Sequence, residues 1–135
     1  IHSGQTTLDD LTARMRDTTA RMLAGRAFRF EVTGMTAERT VSLEFRRHIF
    51  LLYKEVLNNI VRHSQAGMVE IDVWIDRRGF KLQVHDDGKG FEPAAEFQGT
   101  GLAGLKRRVA QLRGECTVRS APAEGTTIGL TVPIV

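Results

Sequence analysis

Two glycine-rich segments and one row of polar side chains hold the residues best suited to chemistry in this chain. Asp86-Asp87-Gly88-Lys89-Gly90-Phe91 and Gly99-Thr100-Gly101-Leu102 each contain a Gly-x-Gly, and they follow one another closely. Glycines this dense mark backbone that takes positive φ or lies close against a ligand. The second pair opens a helical pattern, which leaves unpaired N–H groups where a phosphate can sit. Read singly, Asp-Asp-Gly-Lys-Gly is a turn. A lone turn does not call for a second Gly-x-Gly ahead of a helix, and the two together point to a phosphorylated ligand of the nucleotide kind. Gly99-Thr100-Gly101-Leu102 is not a Walker motif, since no Gly-Lys-Ser/Thr follows. No strand directly precedes the second, so a dinucleotide fingerprint is excluded as well.

The polar row lies upstream. At about 100° per residue on a helix, with Glu55 set at zero, Asn59 falls at about +40°, Arg62 at about −20° and His63 at about +80°. Ile49, Val56 and Ile60 centre near about +120°, so the four polar groups edge the apolar stripe. Asn58 points away, near about −60°. By angle, Asn59 rather than Asn58 shares a face with Glu55. On its own this row is a solvated helix edge with i,i+4 contacts.

Recognisable elements carry these residues. Leu8, Leu11, Met15, Met22 and Leu23 give an amphipathic helix over 8–24 that stops at Gly25. Phe28, Phe30 and Val32 alternate with polar residues in a strand closed by Gly34. Helical spacing of Phe45, Ile49, Leu52, Tyr53, Val56, Leu57, Ile60 and Val61 predicts a helix over 38–65. Val69, Ile71, Val73 and Ile75, then Phe80, Leu82 and Val84, alternate on either side of an Arg77-Arg78-Gly79 turn, which predicts an antiparallel hairpin. A glycine-rich loop over 88–100, a helix over 101–113 and strands near 115–120 and 126–133 complete the chain. The order α-β-α-β-β-α-β-β predicts an α+β two-layer sandwich: a mixed, largely antiparallel sheet with helices on one face. The first helix is expected to lie outside this layer, as a connector.

The 135 residues suit one domain with a sizeable core, and 41% hydrophobic with 26% charged residues is ordinary for a globular protein. A net charge of +3, with its basic residues scattered, argues against nucleic acid as a partner. The single Cys116 excludes an internal disulfide and a cysteine metal cluster, and its place in an alternating strand predicts a small buried core residue. No apolar run reaches the length of a membrane span. The first residue is Ile1 rather than Met, so the sequence reads as a fragment of a longer protein, with a cytoplasmic setting expected and any membrane anchor placed upstream.

Glu55-Val56-Leu57-Asn58-Asn59-Ile60-Val61-Arg62-His63 resembles the N-box of the Bergerat-fold (GHKL) ATP-binding domain. Asp86-Asp87-Gly88-Lys89-Gly90-Phe91 resembles its first glycine box, Gly99-Thr100-Gly101-Leu102-Ala103-Gly104-Leu105 its second, and Gly125-Thr126 the Gly-Thr turn near its end. The resemblance covers about residues 26–135 and is nearest to bacterial sensor histidine kinases that pair with helix-turn-helix response regulators. It implies ATP and Mg²⁺ as cofactors. Asp86 would accept from the adenine amine, with Thr126 in support, and Gly88 and Gly90 would let the backbone pass the base and sugar. Asn59 would ligate Mg²⁺, and Glu55, the catalytic residue, would polarise the attacking group or organise the metal's waters. Arg62 and His63 would lie beside the phosphates, as would Gly99, Thr100, Gly101 and Leu102 at the helix start. Residues 91–98 would form the ATP lid.

On the same resemblance, 26–135 is the catalytic domain and 1–25 a linker or the end of a dimerisation helix. The phosphoacceptor histidine would lie on an absent dimerisation domain of a homodimeric protein, and a response regulator would be the downstream partner. His2, with no acid after it, does not fit the acceptor, while His48 and His85 read as exposed residues. Asp87 stands where the family often has Asn, adding negative charge near the nucleotide, and Thr100 where this subfamily often has His. The alternatives are a GHKL serine kinase of the anti-sigma type and a degenerate GHKL module used for protein contacts.

Overall fold

Alternation of apolar and polar side chains builds the sheet, and helical periodicity supplies the layer that covers it. The computed structural model describes residues 4–34, 39–63, 67–90 and 101–134. In chain order these form β1 (Gln5–Thr7), α1 (Leu8–Met22), β2 (Ala27–Gly34), β3 (Thr40–Ser42), α2 (Leu43–His63), β4 (Met68–Ile75), β5 (Gly79–Asp86), α3 (Gly101–Gln111), β6 (Glu115–Ser120) and β7 (Thr126–Pro133). The main sheet has the order β2-β4-β5-β7-β6. Only β2 and β4 run parallel, and α2 lies in the crossover that such a pair requires.

Register decides which side chains are buried. Ile71 lies opposite Val84 and Val73 opposite Leu82, while Leu82 faces Leu130 and Val84 faces Ile128 on the next strand. All are buried, and they join Leu52, Val56, Ile60, Leu105 and Val109 from the helices in one core. The other face is polar: Arg29 bonds Glu70 at 2.9 Å and Asp72 at 2.8 Å across the parallel pair. This is the two-layer arrangement that the element order predicts.

Three features depart from the sequence reading. First, the chain over 40–42 is a strand, not the start of the long helix, and it pairs antiparallel with β1 in a separate two-stranded sheet. The Ser42 hydroxyl accepts from the Phe45 amide at 3.0 Å, so this serine caps α2 and fixes its start. Second, α1 is part of the core rather than an outlying connector. Leu8, Leu11 and Met15 are fully buried, and the carboxylate of Asp10 accepts from Arg46 of α2 at 2.7 Å. Third, Cys116 is half-buried at the margin of the core, where burial raises its thiol pKa.

The buried hydroxyls of Tyr53 and Thr19 bond to each other between α2 and α1, and Thr19 also donates to the Met15 carbonyl at 2.7 Å. Burial pushes the Tyr53 phenol well above its usual pKa. Above about pH 10 the unfolded phenol ionises while the folded one stays protonated, so this residue lowers stability as pH rises. Tyr53→Phe is expected to lose about 1 kcal/mol at neutral pH and to weaken the alkaline fall. Chemical denaturation at pH 7 and pH 10.5 reads both.

Candidate functional site

The strand alternation that buries Phe80, Leu82 and Val84 continues to Asp86, the last residue of β5. A carboxylate therefore occupies an inward position, 2% exposed, at the end of an apolar row. Burying a charged or polar group of this kind is costly unless it is bonded. One partner is the Gly88 amide, which donates to Asp86 Oδ1 at 2.8 Å. Directly opposite on β7 stands Thr126, also buried, at the start of its own inward row of Ile128, Leu130 and Val132. The Ser120 hydroxyl lies 2.9 Å from the Thr126 hydroxyl and donates to the Gly125 carbonyl at 2.9 Å, fixing the Gly-Thr turn against the end of β6.

Two glycines make this end of the sheet possible. Gly90 has φ +66°, and a Cβ there would overlap the Ala121 carbonyl oxygen. Gly125 has φ +75°, and a Cβ there would overlap the carbonyl oxygen of Asp86 itself. The β6–β7 turn thus rests directly on the first glycine box, with the Ala123 amide donating to the Lys89 carbonyl. Asp86, Gly88, Gly90 and Thr126 come together as one cluster.

Asp87 does something else. Its Oδ1 accepts from the amides of Gly67 at 2.9 Å and Met68 at 3.0 Å, and these bonds hold its carboxyl below the usual carboxylate range. Its carboxylate also clamps the start of β4 to the end of β5.

The polar row lies on α2. Asn59 is half-buried, and its Nδ2 is a buried polar atom with no hydrogen-bond partner among the described residues. Arg62 is exposed, and His63 ends the helix. Arg26 donates to the carbonyls of Ile60 at 3.2 Å and Val61 at 3.4 Å, securing the terminus that carries Arg62 and His63. Glu55 bonds not to Asn59 but to Arg108 of α3, Nη1 to Oε2, at 2.6 Å. Gly101 is the first residue of α3 and Leu102 is buried. Gly99, Thr100 and the expected lid over 91–98 lie outside the described residues, as does His2.

Sequence reasoning passed over Arg26, Arg108 and Ser120. Arg108 was visible only as one of the scattered basic residues, because its partner is 53 positions away. His85 is half-buried rather than exposed, with Nδ1 2.7 Å from the Thr127 hydroxyl. His48 lies at the helix edge, near half exposed, 3.6 Å from Glu44.

The family described as "Histidine kinase-, DNA gyrase B-, and HSP90-like ATPase" matches residues 45–135, from the start of α2 to the end of the chain. The chain belongs to this family. Its relatives include the signal transduction histidine-protein kinase/phosphatase DegS of Brevibacillus brevis, 36% identical over 87 residues that make up 64% of this chain and 22% of DegS. The sensor histidine kinase YdfH of Bacillus subtilis is 31% identical over 114 residues, 77% of this chain and 28% of YdfH. The chain therefore spans about a quarter of the length of such relatives. Among solved structures, the ATP binding domain of PrrB from Mycobacterium tuberculosis shares the fold with a TM-score of 0.71 and 19% identity, over 97% of this chain and 96% of that one. Within the family, this chain is an ATP-binding domain of the kind found in sensor histidine kinases. Among the described residues, no helix is long and apolar enough to cross a membrane.

Proposed function

We propose that this domain binds Mg-ATP and presents its γ-phosphoryl group to a histidine on a dimerisation domain of the longer protein. That protein would act as a homodimeric sensor kinase in the cytoplasm and pass the phosphoryl group to a response regulator. The observation that carries the reading is the buried carboxylate of Asp86, placed at an apolar strand position opposite Thr126. An acceptor-only group in such a place suits the exocyclic amine of adenine. Gly88 and Gly90 keep the backbone beside the base low.

The phosphate end is assigned to α2 and to the start of α3. The unpartnered Nδ2 donor of Asn59 fits a site completed by a ligand's acceptor oxygen, since a buried polar group left unbonded costs about 1–3 kcal/mol. No group of three or more His, Cys, Asp or Glu among the described residues could cage a metal. A metal held by one side-chain oxygen and by substrate phosphates is how Mg²⁺ commonly binds. When bound, Mg²⁺ would neutralise charge on the phosphates, and Asn59 Oδ1 would hold it. Glu55 would orient the attacking group or the metal's waters. Arg62 and His63 would add positive charge and donors. Gly99, Thr100, Gly101 and Leu102 would offer backbone N–H groups at the helix start. Catalysis of this kind is mostly positioning and charge neutralisation.

Calorimetric titration with ATP, with and without Mg²⁺, tests the reading. Wild type is expected to bind ATP more tightly with Mg²⁺, and Asn59→Ala to lose that gain while keeping Mg-free binding within about threefold, or about 0.65 kcal/mol. Wild type that binds no ATP under either condition would favour the degenerate module.

A further inference from the structure

The bond from Arg108 to Glu55 joins two segments that the proposed reaction needs at once. Glu55 stands on α2, and its side chain is three-quarters shielded from solvent. Arg108 stands on α3, the helix that opens at the second glycine box. Leu102, Leu105 and Val109 bury one face of α3. Arg108 follows Leu105 by three positions, which brings it to the margin of that face, where it meets α2. Its side chain is 57% exposed, so it contributes little packing.

A glutamate side chain has three rotatable bonds, and without a fixed partner it samples several rotamers. Here Oε2 is engaged by Nη1, and among the described residues no bond reaches Oε1. One oxygen is anchored and the other is left to act. We infer that Arg108 is a positioning residue for Glu55, holding its carboxylate in one orientation relative to the phosphate-facing end of α3. A rigid helix carries both that end and the guanidinium, so the carboxylate is set by the same body that receives the phosphates. The inference rests on the Mg-ATP reading above. Its size follows from geometry: misplacing a reacting group by about 1 Å can cost about 100-fold in rate.

The test uses this chain, radiolabelled ATP and Mg²⁺, with single-turnover hydrolysis followed over hours and ATP affinity measured separately. Arg108→Gln is expected to slow turnover by about 10-fold or more, with ATP affinity within about twofold of wild type. Arg108→Lys, which restores a cation of similar reach, should recover part of the rate. In a Glu55→Gln background, Arg108→Gln should cost nothing further. In the nucleotide-free chain, the double variant should lose less melting temperature than the two single variants summed, because they remove one shared bond. Unchanged or faster turnover in Arg108→Gln, or additive rate losses, would overturn the inference. Failure of wild type to bind ATP appears in the affinity measurement alone and would overturn the Mg-ATP reading beneath it.

Discussion

Asp86→Asn is expected to weaken ATP binding by about 10- to 100-fold, corresponding to about 1.5–3 kcal/mol for a hydrogen bond to a charged group. The substitution is small and leaves the fold in place, because an amide oxygen can still accept from Gly88 as the carboxylate Oδ1 does. What changes is the other half of the group, where an N–H donor replaces an acceptor and, in the proposed contact, would meet the adenine amine donor to donor. ADP and AMP should lose affinity by the same factor, since the proposed contact is with the base and not the phosphates. Calorimetry with all three nucleotides separates this from a general loss at the site. Equal ATP affinity in wild type and Asp86→Asn would remove Asp86 from the adenine assignment.

Gly125→Ala is expected to be strongly destabilising although it adds a single methyl. Its backbone has φ +75°, and its Cβ would overlap the Asp86 carbonyl oxygen, a backbone atom in the β5–β7 ladder that no rotamer change can clear. Left-handed strain and overpacking together cost about 2–4 kcal/mol. Relief comes only by parting the ends of β5 and β7, which moves Asp86 away from Thr126. Both a lower midpoint in chemical denaturation and weaker ATP binding should therefore appear. Gly67→Ala is the control: a Cβ there meets nothing within 4 Å, and the amide that bonds Asp87 is retained. If Gly125→Ala unfolds no earlier than Gly67→Ala, the close approach at the Gly-Thr turn is not a constraint on the fold.

Strands β4, β5 and β7 were legible because burial on one face forces a period of two, and Val69 to Ile75 and Phe80 to Val84 follow it without a break. The row of Glu55 and Asn59 was legible because a 21-residue helix has a well-defined apolar face to measure angles from. Strands β1 and β3 were not, since three residues carry no periodicity and their pairing is set by tertiary contact. The apolar stripe of α1 was legible but not what it packs on, because the helix precedes the sheet-and-helix layer in sequence and its contacts with α2 are long-range. Asp87 and Arg108 show a further limit. Asp87 read as charge near a ligand and Arg108 as one scattered basic residue, while their observed partners, Met68 and Glu55, are far off in sequence.

The register that sets Asp86 against Thr126 also governs when the pocket can exist. His85 and Thr127, one position along in the same ladder, are 42 positions apart in sequence. Residues 86–90 supply one half of this end of the site and Gly125-Thr126 the other, so the full cluster arises only once sequence-distant strands have closed. Such non-local pairing is slow to form because loop closure precedes any gain in contacts. A nucleotide that needs both halves of this cluster would bind the native state alone and stabilise it by about 2.7 kcal/mol at a concentration 100 times Kd. Occupancy of this cluster would thereby report on the closure of β5 against β7.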